Sequence, residues 1–421
     1  MSESKRETVQ LSANHGWRVT FAGLGINLAL AIMYTWSVIS EGVPDEWGWS
    51  QAAKSLPFSV SCLVISLAMV LAGRMQDKLG PRLVATIGGI LVGLGMILAS
   101  FTTTSLGYVV GFGVLTGAGI AFAYAAATPP AVKWFPAAKT GMIVGIVVSG
   151  FGLAPVYAAP LSKWLIGKFG LAEAVMVLGV AFMVVVSGLA QFLKVPPPGY
   201  VPPGTSPQPA GGGAQGKEDY SPWEMLRTWQ FYVLWFMYAC GAGAGLMIIS
   251  MLVKIASAQA GIELGFVLVA VLAVGNGVGR IVTGIASDKI GRRATLLICF
   301  ALQAVMILLL SQTTEGSLLA NAAVLAVVSA LIGANYGANL ALFPSLTKDY
   351  YGLKNFGVNY GLLFTAWGFG GFMLALLAGK VYDATGSFNF AYYCSAALLA
   401  VAAVVTFIVK PPHHIEEEPV T

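Results

Sequence analysis

Charge-free apolar stretches of about 20 residues recur along the chain, near 19–40, 55–73, 83–101, 107–131, 141–162, 174–193, 229–253, 264–285, 294–312, 318–342, 357–379 and 389–409. Each is long enough, as a helix, to cross a hydrocarbon layer of roughly 30 Å. None alternates apolar and polar positions as the strands of a membrane barrel do. The pattern predicts an all-α membrane protein of twelve transmembrane helices. The first stretch follows a short polar head without a cleavage-site pattern and is too long for a signal-peptide core, so it is expected to remain as the first membrane helix.

Composition agrees with the pattern. The chain is 57% hydrophobic and 10% charged, against about 25% charged in a soluble domain. Its net charge of +5 is explained by topology. With both termini in the cytoplasm, five lysines (Lys54, Lys163, Lys168, Lys254 and Lys380) fall outside, Arg280 falls within a span, and the other 17 of the 23 Lys and Arg fall inside. This is the positive-inside distribution of a multi-pass inner-membrane protein, and it leaves no basic surface to assign to nucleic acid. Cys62, Cys240, Cys299 and Cys394 all lie in apolar stretches without metal-ligand spacing, and the histidines, His15, His413 and His414, lie outside the spans. No metal site or cofactor is expected. Without a phosphate-binding loop, a Ser/His/Asp arrangement or a carboxylate dyad, neither ATP-driven transport nor enzymatic activity is expected.

The segment from Lys194 to Tyr220 is rich in Pro and Gly and predicts a cytoplasmic linker between six spans and six. After it, Ser221, Pro222 and Glu224 form the start signal of a short surface helix through Arg227. The expected organisation is a six-helix bundle over 1–193, a linker with its surface helix over 194–228, and a second six-helix bundle with a short tail over 229–421. The two bundles are also repeats. The segment from Gly73 through Asp77 and Gly80 to Arg82 matches that from Gly284 through Asp288 and Gly291 to Arg293, with five identities at a constant offset of 211 residues. These glycines, aspartates and arginines (Gly73, Asp77, Arg82, Gly284, Asp288, Arg293) are expected to form two gating loops. Glycine permits a tight turn, and the aspartates can cap a helix end or pair with a loop arginine.

Arg280 is the ionisable residue placed well inside a span. A charge at that depth costs at least about 2.5 kcal/mol to insert, which marks it as a candidate functional residue. Its planar fork suits a carboxylate. Asn276, one turn earlier on the same face, is expected to donate to the same anion or to orient the guanidinium. No Asp, Glu or His shares that depth, so the candidate proton-coupling acids are at the rim, Glu263 and Asp383.

The repeated GxxxDxxGxR segments resemble the signature of the major facilitator superfamily. Lys133-Trp-Phe-Pro136 followed by Gly141, Gly145 and Gly150, Ala341-Leu-Phe-Pro344 followed by Asn359-Tyr-Gly361, and the first-helix Gly16-Trp17 and Tyr34-Thr-Trp36 resemble its oxalate/formate antiporter and monocarboxylate transporter group. The resemblance implies a cavity between the halves lined by the first, fourth, seventh and tenth helices. It puts the group's eighth-helix arginine on Arg280 and makes Tyr34, Tyr124, Tyr336, Phe364 and Trp367 candidate lining residues. The chain departs from the group at three positions. Trp367 stands where the dicarboxylate antiporters carry a second cation, so a single carboxylate is favoured over oxalate. Asn276 stands where the animal monocarboxylate transporters carry aspartate, and Thr35 or a neighbour replaces their first-helix lysine. The expected function is secondary active transport of a small monocarboxylate such as lactate, by proton symport and as a monomer. The alternatives are organic-anion exchange and, in another class, a non-transporting membrane sensor.

Overall fold

The structure, a computed structural model, describes residues 3–136, 139–197, 200–202, 219–352 and 354–412, and the side chains of residues 3–14, Asp77 and Thr140 lie outside that description. Most of the expected linker and the tail histidines His413 and His414 are likewise outside it.

Eleven helices are long and apolar enough to cross a membrane: α1 (His15–Glu41), α2 (Gln51–Gln76), α3 (Pro81–Ser100), α4 (Ser105–Val132), α5 (Met142–Phe169), α6 (Leu171–Ala190), α7 (Trp229–Ala260), α8 (Gly265–Ile290), α9 (Arg292–Ser311), α10 (Ala322–Tyr351) and α11 (Phe356–Thr385). A twelfth apolar helix, α12 (Asn389–Val405), is 17 residues long. Among the described residues there is no strand. The helices outrun the apolar stretches. The α2 helix continues to Leu79, because Arg74 and Lys78 end the hydrophobic run but are good helix formers once past the lipid.

This corrects the expectation for the repeated segments, which are not open loops. Gly73 and Gly284 lie within helix, and each connection narrows to one residue, Gly80 (φ 83°) or Gly291 (φ 88°), between consecutive helices. A positive φ suits glycine, and Pro81 at the first position of α3 starts the next helix.

The surface helix Pro222–Arg227 forms with its capping box complete. Ser221 N donates to Glu224 Oε2 at 2.6 Å, and Glu224 N donates to Ser221 Oγ at 3.3 Å.

The helices before the linker differ in regularity from those after it. In α1, residues Ala31–Thr35 tighten into a 3-10 turn, where the Thr35 hydroxyl bonds back to the Ile32 carbonyl at 2.7 Å. In α4, Val109–Thr116 widens into a π-helix. The α5 helix breaks at Ala154, where Pro155 lacks the amide hydrogen that would continue it. By contrast α7, α8, α10 and α11 run as unbroken α-helix.

The two halves meet along α2 with α11 and along α5 with α8. On the α2/α11 seam, a Cβ added to Gly379 or Gly368 would overlap Ser55 or Ser66 and a backbone carbonyl beside it, and one added to Gly371 would come within 3.1 Å of Cys62, so the backbones are in contact. The same helix faces continue toward the repeated segments through Gly73, Gly357, Gly145 and Gly284, and a Cβ at any of these meets nothing within 4 Å. The halves are therefore closed at the end that carries Asp383 and splayed at the end that carries the repeats.

Candidate functional site

Arg280 is held on the seam by close helix packing. Gly275 and Gly279 of α8 face Gly333 and Gly337 of α10, four residues apart on each helix. A Cβ at any of the four would overlap a carbonyl oxygen of the opposing backbone, those of Ala330, Ala334, Leu272 and Asn276 respectively. Small residues at this spacing let membrane helices approach closely. The approach places Asn276 and Arg280 of α8 beside Tyr336 of α10.

Arg280 Nε donates to Asn276 Oδ1 at 3.1 Å. This bond fixes the plane of the guanidinium. Of the two roles expected for Asn276, the structure therefore has the orienting one in place. Nη2 of Arg280 is buried with no partner. A buried donor left unpaired costs on the order of 1–3 kcal/mol, more when charged, and an anionic acceptor removes that cost. Across the seam, α5 presents bare backbone. A Cβ on Gly152 would touch Cζ and Nη2 of Arg280 and Nδ2 of Asn276 at 3.8 Å, so the glycine keeps this face of the guanidinium free of any side chain from α5.

Aromatic residues from both halves surround this point. Tyr34, in the 3-10 turn of α1, shares a hydrogen bond of 2.6 Å with the hydroxyl of Tyr336, which in turn accepts the indole N–H of Trp367 at 2.9 Å. Phe151 of α5 packs edge-on to both Tyr34 (5.1 Å) and Tyr124 (5.2 Å). Phe364 stacks on Trp367 at 5.1 Å and 12°, and next to it the hydroxyls of Tyr238 and Tyr360 meet at 3.3 Å. On the closed side of the site a small cavity is lined by Tyr34, Pro155, Ile249, Leu252, Ala273 and Asn276, among others.

The rim acids differ from each other. Glu263 is exposed and joins none of these groups. Asp383 of α11 reaches across to the start of α2 in the other half. Its Oδ1 accepts Gln51 N–H at 2.6 Å and its Oδ2 accepts Ala52 N–H at 2.8 Å, while Ser50 Oγ accepts Ala53 N–H at 3.2 Å. The first turn of a helix has amide hydrogens without intrahelical partners, and here two of them are satisfied by the opposite half. Asp383 is thus a latch in this conformation.

Of the candidate gating residues, Asp288 pairs with Arg292 at 2.7 Å, and Arg292 also meets Asp349 at 3.2 Å. Arg293 instead bonds the Thr406 carbonyl at 2.8 Å beyond the end of α12. Arg82 is exposed, and the Asp77 side chain is outside the described residues. All these contacts stay within the second half, as expected where the halves are splayed.

Sequence reasoning missed Phe151, Gly152, Tyr238 and Tyr360 at the site and, apart from it at the end of α1, Glu41, one of whose carboxylate oxygens is buried and unpartnered. The paired glycines at Gly275/Gly279 and Gly333/Gly337 were the available signal for where α8 meets α10.

The model of the Major Facilitator Superfamily matches residues 21–272 and 234–420, nearly the whole chain in two overlapping stretches. The chain belongs to the Major Facilitator Superfamily. Among its relatives, the oxalate:formate antiporter of Oxalobacter formigenes is 28% identical over 96% of this chain and 93% of its own. Monocarboxylate transporter 13 of Rattus norvegicus is 24% identical over 84% and 79%, and an uncharacterised transporter of this type, YhjX of Escherichia coli, is 26% identical over 84% and 85%. These relatives support assignment to the monocarboxylate and oxalate group of the superfamily. The fold is similar to that of a bacterial homologue of the human lysosomal transporter Spinster, with a TM-score of 0.67, 16% identity, and coverage of 94% of this chain and 96% of that one.

Proposed function

We propose that this superfamily transporter carries small monocarboxylates of the lactate class by alternating access around Arg280, as a proton symporter. The observation that carries the proposal is the buried, unpartnered Nη2 of an arginine whose Nε is already held by Asn276, on the seam between the halves. A carboxylate fits that vacancy in charge and in planar geometry. One cation favours one carboxylate, with Trp367 and Phe364 forming an apolar wall. The relatives named for monocarboxylates and for oxalate and formate support the substrate class.

The cycle follows from the two faces of the seam. The bundles 1–193 and 229–421, joined by the linker 194–228, are the moving bodies, and the crevice opens to the cytoplasm in a multi-pass inner-membrane orientation with both termini inside. The anion enters, pairs with Arg280 and removes the penalty of a lone buried charge. The bundles then rock so that the Asp383 latch opens as the repeated segments close. No acid lies beside Arg280 among the described residues, and anion exchange, which needs no proton carrier, is on that observation the second reading. Radiolabelled lactate uptake into proteoliposomes separates the two. Symport predicts uptake driven by an inward proton gradient, whereas exchange predicts uptake only into vesicles preloaded with a carboxylate. No uptake in either mode overturns the proposal.

A further inference from the structure

The chain of hydrogen bonds Trp367, Tyr336, Tyr34 has a direction. An indole N–H can only donate, so Tyr336 oxygen is an acceptor from Trp367. Tyr336 has one hydrogen, is fully buried, and has one other partner, the Tyr34 hydroxyl at 2.6 Å. If Tyr34 donated to Tyr336, the phenol oxygen of Tyr336 would accept twice and its own hydrogen would be buried with no acceptor. If Tyr336 donates to Tyr34, the three groups run head to tail, and each bond polarises the next. The one hydrogen then left over is that of Tyr34, which is also buried but lines the same cavity as Asn276, the residue that holds Arg280 Nε.

We infer that Trp367, acting through Tyr336, sets the direction in which Tyr34 donates, so that the Tyr34 hydroxyl hydrogen is reserved for the carboxylate bound at Arg280. Trp367 is a positioning residue in this arrangement. It points the donor in the first half toward the anion while Arg280 supplies the donor in the second, and the anion is held by both bodies. The inference deepens the carboxylate reading and rests on it. It also gives Trp367, at the position of the antiporters' second cation, a role beyond forming an apolar wall.

The test is lactate binding by calorimetry to the purified full chain and three variants. Trp367→Phe keeps the ring stacked on Phe364 but removes the N–H. Tyr336 is then free to accept from Tyr34, whose lone pair turns toward the anion, and affinity falls about tenfold. Trp367→Phe/Tyr336→Phe removes the competing acceptor, frees Tyr34 to donate, and restores affinity to within about threefold of the parent. Tyr34→Phe loses as much as Trp367→Phe, and adding Trp367→Phe to it costs nothing more. A double variant weaker than Trp367→Phe alone, or additive losses with Tyr34→Phe, overturns the relay. If the parent chain binds no lactate, the carboxylate reading fails, and a ligand-free measurement still decides the relay. The indole N–H resonance of Trp367 is expected to shift in Tyr336→Phe, and also in Tyr34→Phe through loss of polarisation. A resonance that ignores Tyr336→Phe overturns the bond, and one that ignores Tyr34→Phe overturns its direction.

Discussion

Replacing Asp383 with Asn tests whether the seam is latched by charge. The carboxylate accepts two consecutive amide hydrogens at 2.6 and 2.8 Å. The amide of Asn has one acceptor oxygen and turns a donor toward the second N–H, so one bond is lost and the other becomes neutral. Hydrogen bonds to charged groups are worth about 1.5–3 kcal/mol against about 0.5–1.5 for neutral ones, and a charge at an exposed helix N-terminus adds about 0.3–1 kcal/mol. Asp383 is exposed, so its bonds compete with water and the loss falls to about half of the roughly 2.8 kcal/mol to which the low ends of these ranges add. A net loss of about 1.4 kcal/mol shifts the closed-to-open equilibrium about tenfold. Cys62 is a native reporter of that shift. It is fully buried on the same seam, against Gly371 of the other half, and becomes accessible when the seam parts. In a background with Cys240, Cys299 and Cys394 replaced by Ser, the rate of Cys62 alkylation by N-ethylmaleimide is expected to rise about tenfold in Asp383→Asn. A rate within twofold of the parent's would show that the bonds across the seam do not hold it closed.

Arg280→Lys retains the charge but loses both the fork and the Nε bond to Asn276, so lactate affinity should fall by more than about tenfold while the protein still inserts; parent-like uptake kinetics would refute the site. Gly152→Ala places a methyl at ordinary contact distance from Arg280 and should transport within about twofold of the parent, whereas the extra methyls of Gly152→Val crowd the guanidinium and should weaken binding about tenfold or more. Equal behaviour of the two variants in a binding assay would mean that α5 does not face the substrate. If uptake is gradient-driven, Glu41→Gln should weaken that drive and spare counterflow, while Glu263→Gln, at an exposed position, should leave both unchanged; the reverse pattern would move the proton to Glu263.

The parts of this structure legible in the sequence are those governed by local periodicity and by lipid. Twelve apolar runs gave twelve helices, and the four-residue spacing of Asn276 and Arg280 gave their hydrogen bond. What stayed hidden depends on which helix meets which. Asp383 could be named as a rim acid but not as a contact between the halves, because nothing local says that the start of α2, 332 residues away, lies opposite it. Tyr34 and Tyr336, separated by 302 residues, could be named as cavity aromatics by resemblance but not as hydrogen-bonded partners. Gly152 carries no chemistry of its own and matters only because α5 breaks beside it and crosses α8. The repeated segments were expected as loops because charge ends a hydrophobic run, but charge does not end a helix.

The uneven regularity of the two halves bears on how the protein responds to its surroundings. The tightened turn at Ala31–Thr35, the widened one at Val109–Thr116 and the break at Ala154 are all in the half without the cation. The helices that hold Arg280 are unbroken and joined glycine to glycine. The irregular turns are therefore concentrated in the first half, although the widened turn of α4 is itself packed glycine to glycine against α3 at Gly111 and Gly95. A thinner or thicker bilayer is expected to be accommodated by bending of α1 and α5, with Arg280 keeping its depth in the membrane. Backbone amides at those three turns are expected to exchange with deuterated water ahead of those along α8 and α10. On that expectation the first half serves, mechanically, as a spring and the second as the frame it works against.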